Sequence, residues 1–451
     1  MKNPFLVFSF AVVGVIESVW ILSSDGFYLV DECAHFLYSR FVLQSLPTTV
    51  ETWHRPGRLW LFAIPAQFGH LFTMFFCLAL FLCLLYVTYR IAKLKGIKHA
   101  EWVIILAGLQ PILFDISYAC LNEAPTALVI MLSYWYYLRK KPGLSMAIAS
   151  LVFLFRFEMY TYALLLFFVY LRKREWKILP FIVLGPLVWI GLSTIISGNV
   201  LTFFREWSRF SHLEKFIPGV SVTHYVQNLQ TIFGFGQVVL FVIGAVFIAR
   251  AKRTAEFGII YCTIGINLII STLSGAEVFH WTASVGELRY VAAVGPFWGL
   301  VSVYGFSEIL ERVRNQLGKL VFSGMVFGIV VFNCTLTTHP RRWTNYDLVM
   351  INITKVARTQ CPHLTLLCND PVAAYVMDVS PAGGPYFARL NKDMLKKYPE
   401  CLILWDPFTA HSVFSQTQLT KENMLLDTTV RVLERYDLYQ SEYFLLYRNA
   451  R

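Results

Sequence analysis

What most limits this chain is an alternation. Apolar runs, several about as long as the roughly 20 residues that cross a bilayer core, are joined by connections of which every second one is basic. Arg90, Lys93, Lys95 and Lys98 follow the second run, and Arg139, Lys140 and Lys141 the fourth. Arg172, Lys173, Arg174 and Lys177 follow the sixth, Arg250, Lys252 and Arg253 the eighth, and Arg312, Arg314 and Lys319 the tenth. Only 15% of the 451 residues are charged and 56% are hydrophobic, against about 25% charged in soluble domains. The pattern predicts an all-α polytopic membrane protein. A net charge of +11 on a soluble chain would point to nucleic acid. Here the cations sit in short clusters between apolar runs, so they report orientation and exclude a nucleic-acid partner. The basic connections are then cytoplasmic, and counting runs gives about eleven helices, with the N-terminus inside and the C-terminus outside. Phe5 to Leu22 follows a single Lys2 without a small-residue cleavage site, which predicts a retained first span. Nine cysteines with no CxxC pair indicate neither a zinc site nor a disulfide framework.

The remaining connections face the periplasm or an organelle lumen and carry nearly all the acids at membrane borders. They are the loop Asp25–Arg58, the turns at Asn122-Glu123 and at Arg156-Phe157-Glu158, the segment Ser197–Gly236 and the loop Gly275–Arg289. Acids weigh little in setting orientation, so this bias suggests extracytoplasmic chemistry. Lys141 and Arg172 stand only about thirty residues apart, whereas two full spans need roughly forty. The two helices between them are therefore short, and their Arg156–Glu158 turn lies below the membrane surface, as a mutual salt bridge or facing a wet cavity. The composition changes near His339, dividing a membrane domain (1–338) from a small extracytoplasmic α/β domain (339–451). Leu364 to Leu367, Cys401 to Trp405 and Tyr443 to Tyr447 read as strands, and Lys421 to Tyr436 has helical spacing. Gly383-Gly384-Pro385 is a turn, and Asn352-Ile353-Thr354 is a sequon that matters only in a eukaryotic lumen.

The Asp25–Arg58 loop holds Asp31, Glu32, His35, Glu51, His54, Arg55 and Arg58 in a chain otherwise short of charge. On a helix starting near Asp31, Glu32 and His35 share a polar face with it, while Leu37, Tyr38, Phe41 and Val42 suit a helix lying in the interface, ended by Pro47. Carboxylates beside guanidiniums suit a reaction needing a base and a place for an anion. At a membrane surface the obvious anion is the phosphate of a lipid carrier, which arginine binds with two prongs. A sugar on such a phosphate already has a good leaving group. One carboxylate to deprotonate an acceptor hydroxyl and cations to hold the departing phosphate complete an inverting transfer.

These residues resemble the C-type (GT-C) superfamily of integral membrane glycosyltransferases, which use polyprenyl- or dolichyl-phosphate sugars. Asp31-Glu32 resembles the Asp-Glu of their first outer loop. His35-Phe36 and His54-Arg55-Pro56 are similar to strings in protein O-mannosyltransferases. Glu51-Thr52-Trp53 and Arg58 resemble lipid-linked mannosyltransferases, and Asn122-Glu123, Arg156-Phe157-Glu158 and Glu287-Leu288-Arg289-Tyr290 match further positions. Leu29-Val30 replaces the His-Pro that precedes the acids in some relatives. The resemblance implies a hexosyl transfer, with mannose the sugar it names, from a polyprenyl- or dolichyl-phosphate donor to a glycan, lipid or protein acceptor. It makes Asp31 the base, with Glu32 beside it orienting the acceptor and His35 a third catalytic side chain. Arg55, Arg58 and Arg289 would hold the lipid phosphate, with His54, Glu123, Arg156, Glu158 and Tyr290 lining the substrate site.

Other readings stand beside these. Asp31 and Glu32 suit a helix cap, and Glu123 a helix start. Arg58 and Arg289 could snorkel to the interface, and His280 and Trp281 could anchor there. His35 and His54 with Glu32 or Glu123 could hold a divalent metal. A transporter or lipid flippase would place its ionisable groups mid-membrane in two related halves, which the sequence lacks. A polysaccharide ligase or polymerase would take a longer lipid-linked glycan. Compact loops and the absence of a retention signal favour a bacterial inner membrane over the endoplasmic reticulum.

Overall fold

The computed structural model describes residues 4–44, 46–206, 220–275, 287–406, 428–438 and 441–449. The chain is mostly helical, with one small sheet near its C-terminus. Among the described residues six helices are long and apolar enough to cross a membrane: Pro4–Ser23, His70–Leu94, Trp176–Ser197, Thr254–Leu273, Leu288–Arg312 and Gln316–Thr337. Pro142–Leu154 and Phe235–Arg250 are shorter apolar helices. The chain is an integral membrane protein. Other apolar runs are divided: Trp102–Gly108 stops before Pro111, which opens Pro111–Ser117, because proline cannot donate to the preceding turn. The two helices flanking Arg156–Glu158 span only 10 and 12 residues, Pro142–Leu151 and Thr161–Arg172, as their spacing predicts.

The chain divides into two compact units. The first comprises Met1–Ser23, Val50–Arg58 and Gly69–Pro340, and the second Ser24–Thr49, Leu59–Phe68 and Arg341–Arg451. Within the first unit Leu288–Arg312 is the central helix, 89% of its apolar window being buried. Its neighbour Phe235–Arg250 approaches so closely that a Cβ at Gly244 would strike the Val301 carbonyl, and one at Gly305 the Leu240 carbonyl. Small residues at such a crossing let membrane helices pack backbone to backbone.

Within the second unit a five-stranded sheet has the order β2 (Phe387–Ala388), β1 (Leu366–Leu367), β3 (Glu400–Trp405), β5 (Ser441–Asn449), β4 (Val430–Leu438). β1 runs parallel to β2 and β3, whereas β5 is antiparallel to both β3 and β4. Leu367, Cys401, Ile403, Trp405, Phe444 and Leu446 form its core. The helical spacing expected up to Tyr436 is overturned where residues are described: Val430–Leu438 is a strand. Its β-branched Val430 and Val432 pair with Arg448 and Leu446 of β5, a long-range gain that overrides local spacing. The Lys421 end of that expectation, like His280 and Trp281, lies outside the described residues.

Helix Val30–Arg40 also belongs to the second unit. It begins near Asp31 as expected but stops at Arg40, and Pro47 instead sits in the 3₁₀ turn Leu46–Val50. The amphipathic expectation fails as well, because Glu32 through Ser39 are all buried. The segment before it runs against Arg341–Trp343: Asp25 N–H donates to the Arg341 carbonyl at 3.0 Å. A Cβ on Gly26 would stand 2.5 Å from the Arg342 carbonyl carbon, so this approach requires glycine.

Candidate active site

In the first unit, the segment Val50–Arg58 is pinned at both ends. Trp189 Nε1 donates to the Val50 carbonyl at 3.1 Å, and Gly57 packs on the Leu154 backbone with no room for a side chain. Between them Arg55 takes a left-handed backbone (φ 59°), a costly conformation for a residue with a Cβ. Its guanidinium lies over the Phe157 ring at 5.1 Å and bonds Glu158 Oε1 through Nη2 at 2.9 Å. His54 Nε2 meets Glu51 at 3.2 Å. Arg58 is fully buried, donating to the His54 carbonyl at 2.7 Å with Cys120 beside it.

The other arginines close the cluster. Arg156 reaches Glu123 Oε1 at 2.9 Å and Glu158 Oε1 at 3.6 Å, and covers the Tyr290 ring at 4.3 Å. Arg289 pairs with Glu287, lies 3.8 Å from Glu123 and stands 5.7 Å from the Tyr290 ring centre. The structure thus brings together His54, Arg55, Arg58, Glu123, Arg156, Glu158, Arg289 and Tyr290. The 156–158 pair is not the simple mutual bridge that its spacing allows, since each residue has a closer partner elsewhere. Neither Arg58 nor Arg289 snorkels, at 0% and 5% exposed.

Four arginines are buried here. Among the described residues Arg55 meets Glu158, Arg156 meets Glu123 and Arg289 meets Glu287, whereas Arg58 meets no carboxylate within ion-pair distance. The guanidiniums thus gather where an anion would find several charged donors at once.

In the second unit, Asp31, Glu32 and His35 share helix Val30–Arg40. Asp31 is half-buried in the first turn, and His35 is buried. Glu32 is fully buried: Arg341 Nη1 bridges both its oxygens at 3.1 and 3.0 Å, and Tyr28 N–H donates to Oε2 at 2.5 Å. Further along, Arg389 meets the Tyr38 hydroxyl and Arg40 meets Asp378 at 3.1 Å. Sequence reasoning missed Arg341, whose one visible signal is an Arg341-Arg342 pair set apart from the basic clusters. It also missed Glu17, an acid inside the first span, fully buried and met by the Ser117 hydroxyl. Asp370, which caps Pro371–Met377 and accepts from the Tyr346 hydroxyl at 2.5 Å, was missed too, its one signal being the Asp-Pro step that opens a helix. Among the described residues no three His, Cys, Asp or Glu side chains gather to hold a metal ion, so the metal reading of His35, His54, Glu32 and Glu123 gains no grouping.

No protein-family model matches the chain, and no curated protein sequence does. Among solved structures, it is similar to the crystal structure of ArnT from Cupriavidus metallidurans bound to undecaprenyl phosphate. The TM-score is 0.63 at 12% identity, covering 99% of this chain and 98% of that one. It is also similar to ArnT from the same organism in the apo state, with a TM-score of 0.60 at 12% identity, covering 98% and 97%. At this identity the likeness establishes the fold along nearly the whole chain, in line with the resemblance read from the sequence.

Proposed function

We propose that this protein is a membrane glycosyltransferase that moves a hexose, mannose in the first instance, from a polyprenyl phosphate to an acceptor hydroxyl outside the cytoplasm. One observation carries the reading: the gathering of four buried guanidiniums, Arg55, Arg58, Arg156 and Arg289, which suits a lipid-borne phosphate. The fold it shares with a protein crystallised on undecaprenyl phosphate supports the same reading. In this proposal Asp31 takes the proton of the acceptor hydroxyl. The freed oxygen bonds to the anomeric carbon from the face opposite the phosphate, and the breaking carbon–oxygen bond leaves its electron pair on the polyprenyl phosphate. Arg55, Arg58 and Arg289 stabilise that leaving group. Glu32, tied to Arg341, holds the helix that presents Asp31. About eleven spans, an inside N-terminus, a division near residue 339, an outward-facing site and a bacterial inner membrane complete the proposal.

The test is a transfer assay on the purified protein in lipid nanodiscs with a panel of undecaprenyl-phosphate sugars. Asp31→Asn should lower the rate about 10²- to 10⁴-fold, the usual weight of a general base, with folding intact. Normal transfer by both Asp31→Asn and Glu32→Gln would show that neither acid is the base.

A further inference from the structure

Helices His70–Leu94 and Glu123–Leu138 of the first unit pack together, and each ends at a basic connection. Each carries an aromatic ring with an arginine four residues on: Tyr86 and Arg90 on one, Trp135 and the capping Arg139 on the other. That spacing sets each pair on one face. Arg90 donates to the Tyr86 hydroxyl at 2.8 Å and reaches across the helices, its guanidinium 5.9 Å from the centre of the Trp135 ring. The Arg139 guanidinium stands over the same ring at 5.1 Å. Two like charges thus share one ring, and among the described residues neither pairs with a carboxylate. Cations of other basic connections do: Lys98 meets Glu311 at 2.6 Å, Arg253 meets Glu256 at 2.6 Å and Arg312 meets Glu308 at 3.0 Å. Trp135 Nε1 is covered and meets no acceptor. Helix ends favour cations and membrane borders favour tryptophan. Those preferences account for the residue types but not for two arginines folded onto one indole.

We propose that Arg90, Trp135 and Arg139 form a binding site for the phosphate of an anionic phospholipid. A phosphodiester carries one negative charge and only accepts hydrogen bonds. It would take N–H groups from both guanidiniums, which suit phosphate with two-pronged geometry, and offset their mutual repulsion. Basic pockets between membrane helices bind lipid headgroups by the same chemistry. The surroundings of the arginines favour a lipid over a free anion. Arg90 lies on a helix apolar enough to cross a membrane, and Tyr86 and Leu94, one turn to either side of it, are 45% and 52% exposed. That face offers acyl chains an apolar surface beside the charge. The site is separate from the cluster assigned to the transferred phosphate. Glu123, the partner of Arg156, opens the helix on which Trp135 stands, about 18 Å away along the axis at 1.5 Å per residue.

The experiment titrates the full-length protein in detergent with phosphatidylglycerol, phosphatidylcholine or inorganic phosphate and counts bound molecules by native mass spectrometry. The wild type should hold phosphatidylglycerol more tightly than phosphatidylcholine, and inorganic phosphate at equal concentration should not displace it. Arg90→Gln and Arg139→Gln should each weaken phosphatidylglycerol about fivefold, the weight of one cation at an anionic surface, and together roughly 25-fold. Lys140→Gln with Lys141→Gln removes two exposed charges from the same connection and should weaken it less than either arginine variant. Arg90→Lys with Arg139→Lys keeps the charge but loses the planar fork. It should fall between the wild type and the glutamine pair, and it replaces that pair should the latter fail to fold. Equal loss in the Lys140 and Lys141 pair would mean a diffuse basic surface, and displacement by inorganic phosphate a free-anion site. Either result, equal affinity for the two lipids, or unchanged binding in the arginine variants would overturn the inference.

Discussion

The Glu32–Arg341 pair separates a catalytic from a structural role for the second acid of the first loop. Both side chains are at least 97% buried, and one nitrogen of Arg341 lies 3.0–3.1 Å from each carboxylate oxygen. At an effective dielectric constant of about 20 the gross attraction at that distance is about 5–6 kcal/mol. The cost of desolvating both ions cancels much of it. Removing one partner forfeits the attraction and strands the other ion, so Glu32→Gln and Arg341→Met should each cost about 3–5 kcal/mol. Combining them strands no charge, and the glutamine carbonyl still accepts from Tyr28 N–H. The double variant should therefore sit within about 1–2 kcal/mol of the wild type.

Hydrogen exchange on peptides covering Val30–Arg40 reads this opening free energy locally. Each single variant should lose roughly 10²- to 10⁴-fold in protection, and the double variant should recover most of it. Transfer should return with it if Glu32 serves only to hold the helix. A double variant no better protected than the worse single would refute the ion-pair argument. Restored protection without transfer would return Glu32 to the chemistry.

Three further outcomes follow from the packing and the charges. Burial, aided by Asp406 and opposed by the bond from Tyr346, pushes the Asp370 carboxyl up to about 7. A raised carboxylate pKa means the folded state keeps its proton longer, so urea stability of the second unit should fall as pH rises from about 4 to about 7. The drop is on the order of 4 kcal/mol, and Asp370→Asn should flatten it; a flat wild-type profile would refute the shift. Gly26→Ala should destabilise the second unit by about 1–3 kcal/mol, seen as faster exchange at 341–343, and wild-type exchange there would deny the close approach. Gly244→Leu should lower the thermal stability of the detergent-solubilised protein by pushing Phe235–Arg250 off Leu288–Arg312. An unchanged melting temperature would mean the helices do not touch at that point.

The features legible in the sequence are those that a bilayer imposes locally. A span must be a continuous apolar run, and loop cations cluster on one side, so membrane character and the brevity of the helices beside Arg156 could be read residue by residue. The strand Val430–Leu438 could not be, because its pairing depends on β5, and taken alone its residues fit a helix as well. The candidate site lies between these cases. In so apolar a chain a buried charge demands a partner, so the sequence marked the Arg156–Glu158 turn, and the family resemblance added Arg55, Glu123 and Arg289 to one substrate site. It could not assign the pairs, since Arg55 finds Glu158 across 103 positions and Arg156 finds Glu123 across 33. Charge in an apolar chain therefore shows in advance which side chains must find partners, whereas the pairing itself depends on contacts far apart in sequence and emerges only with the fold.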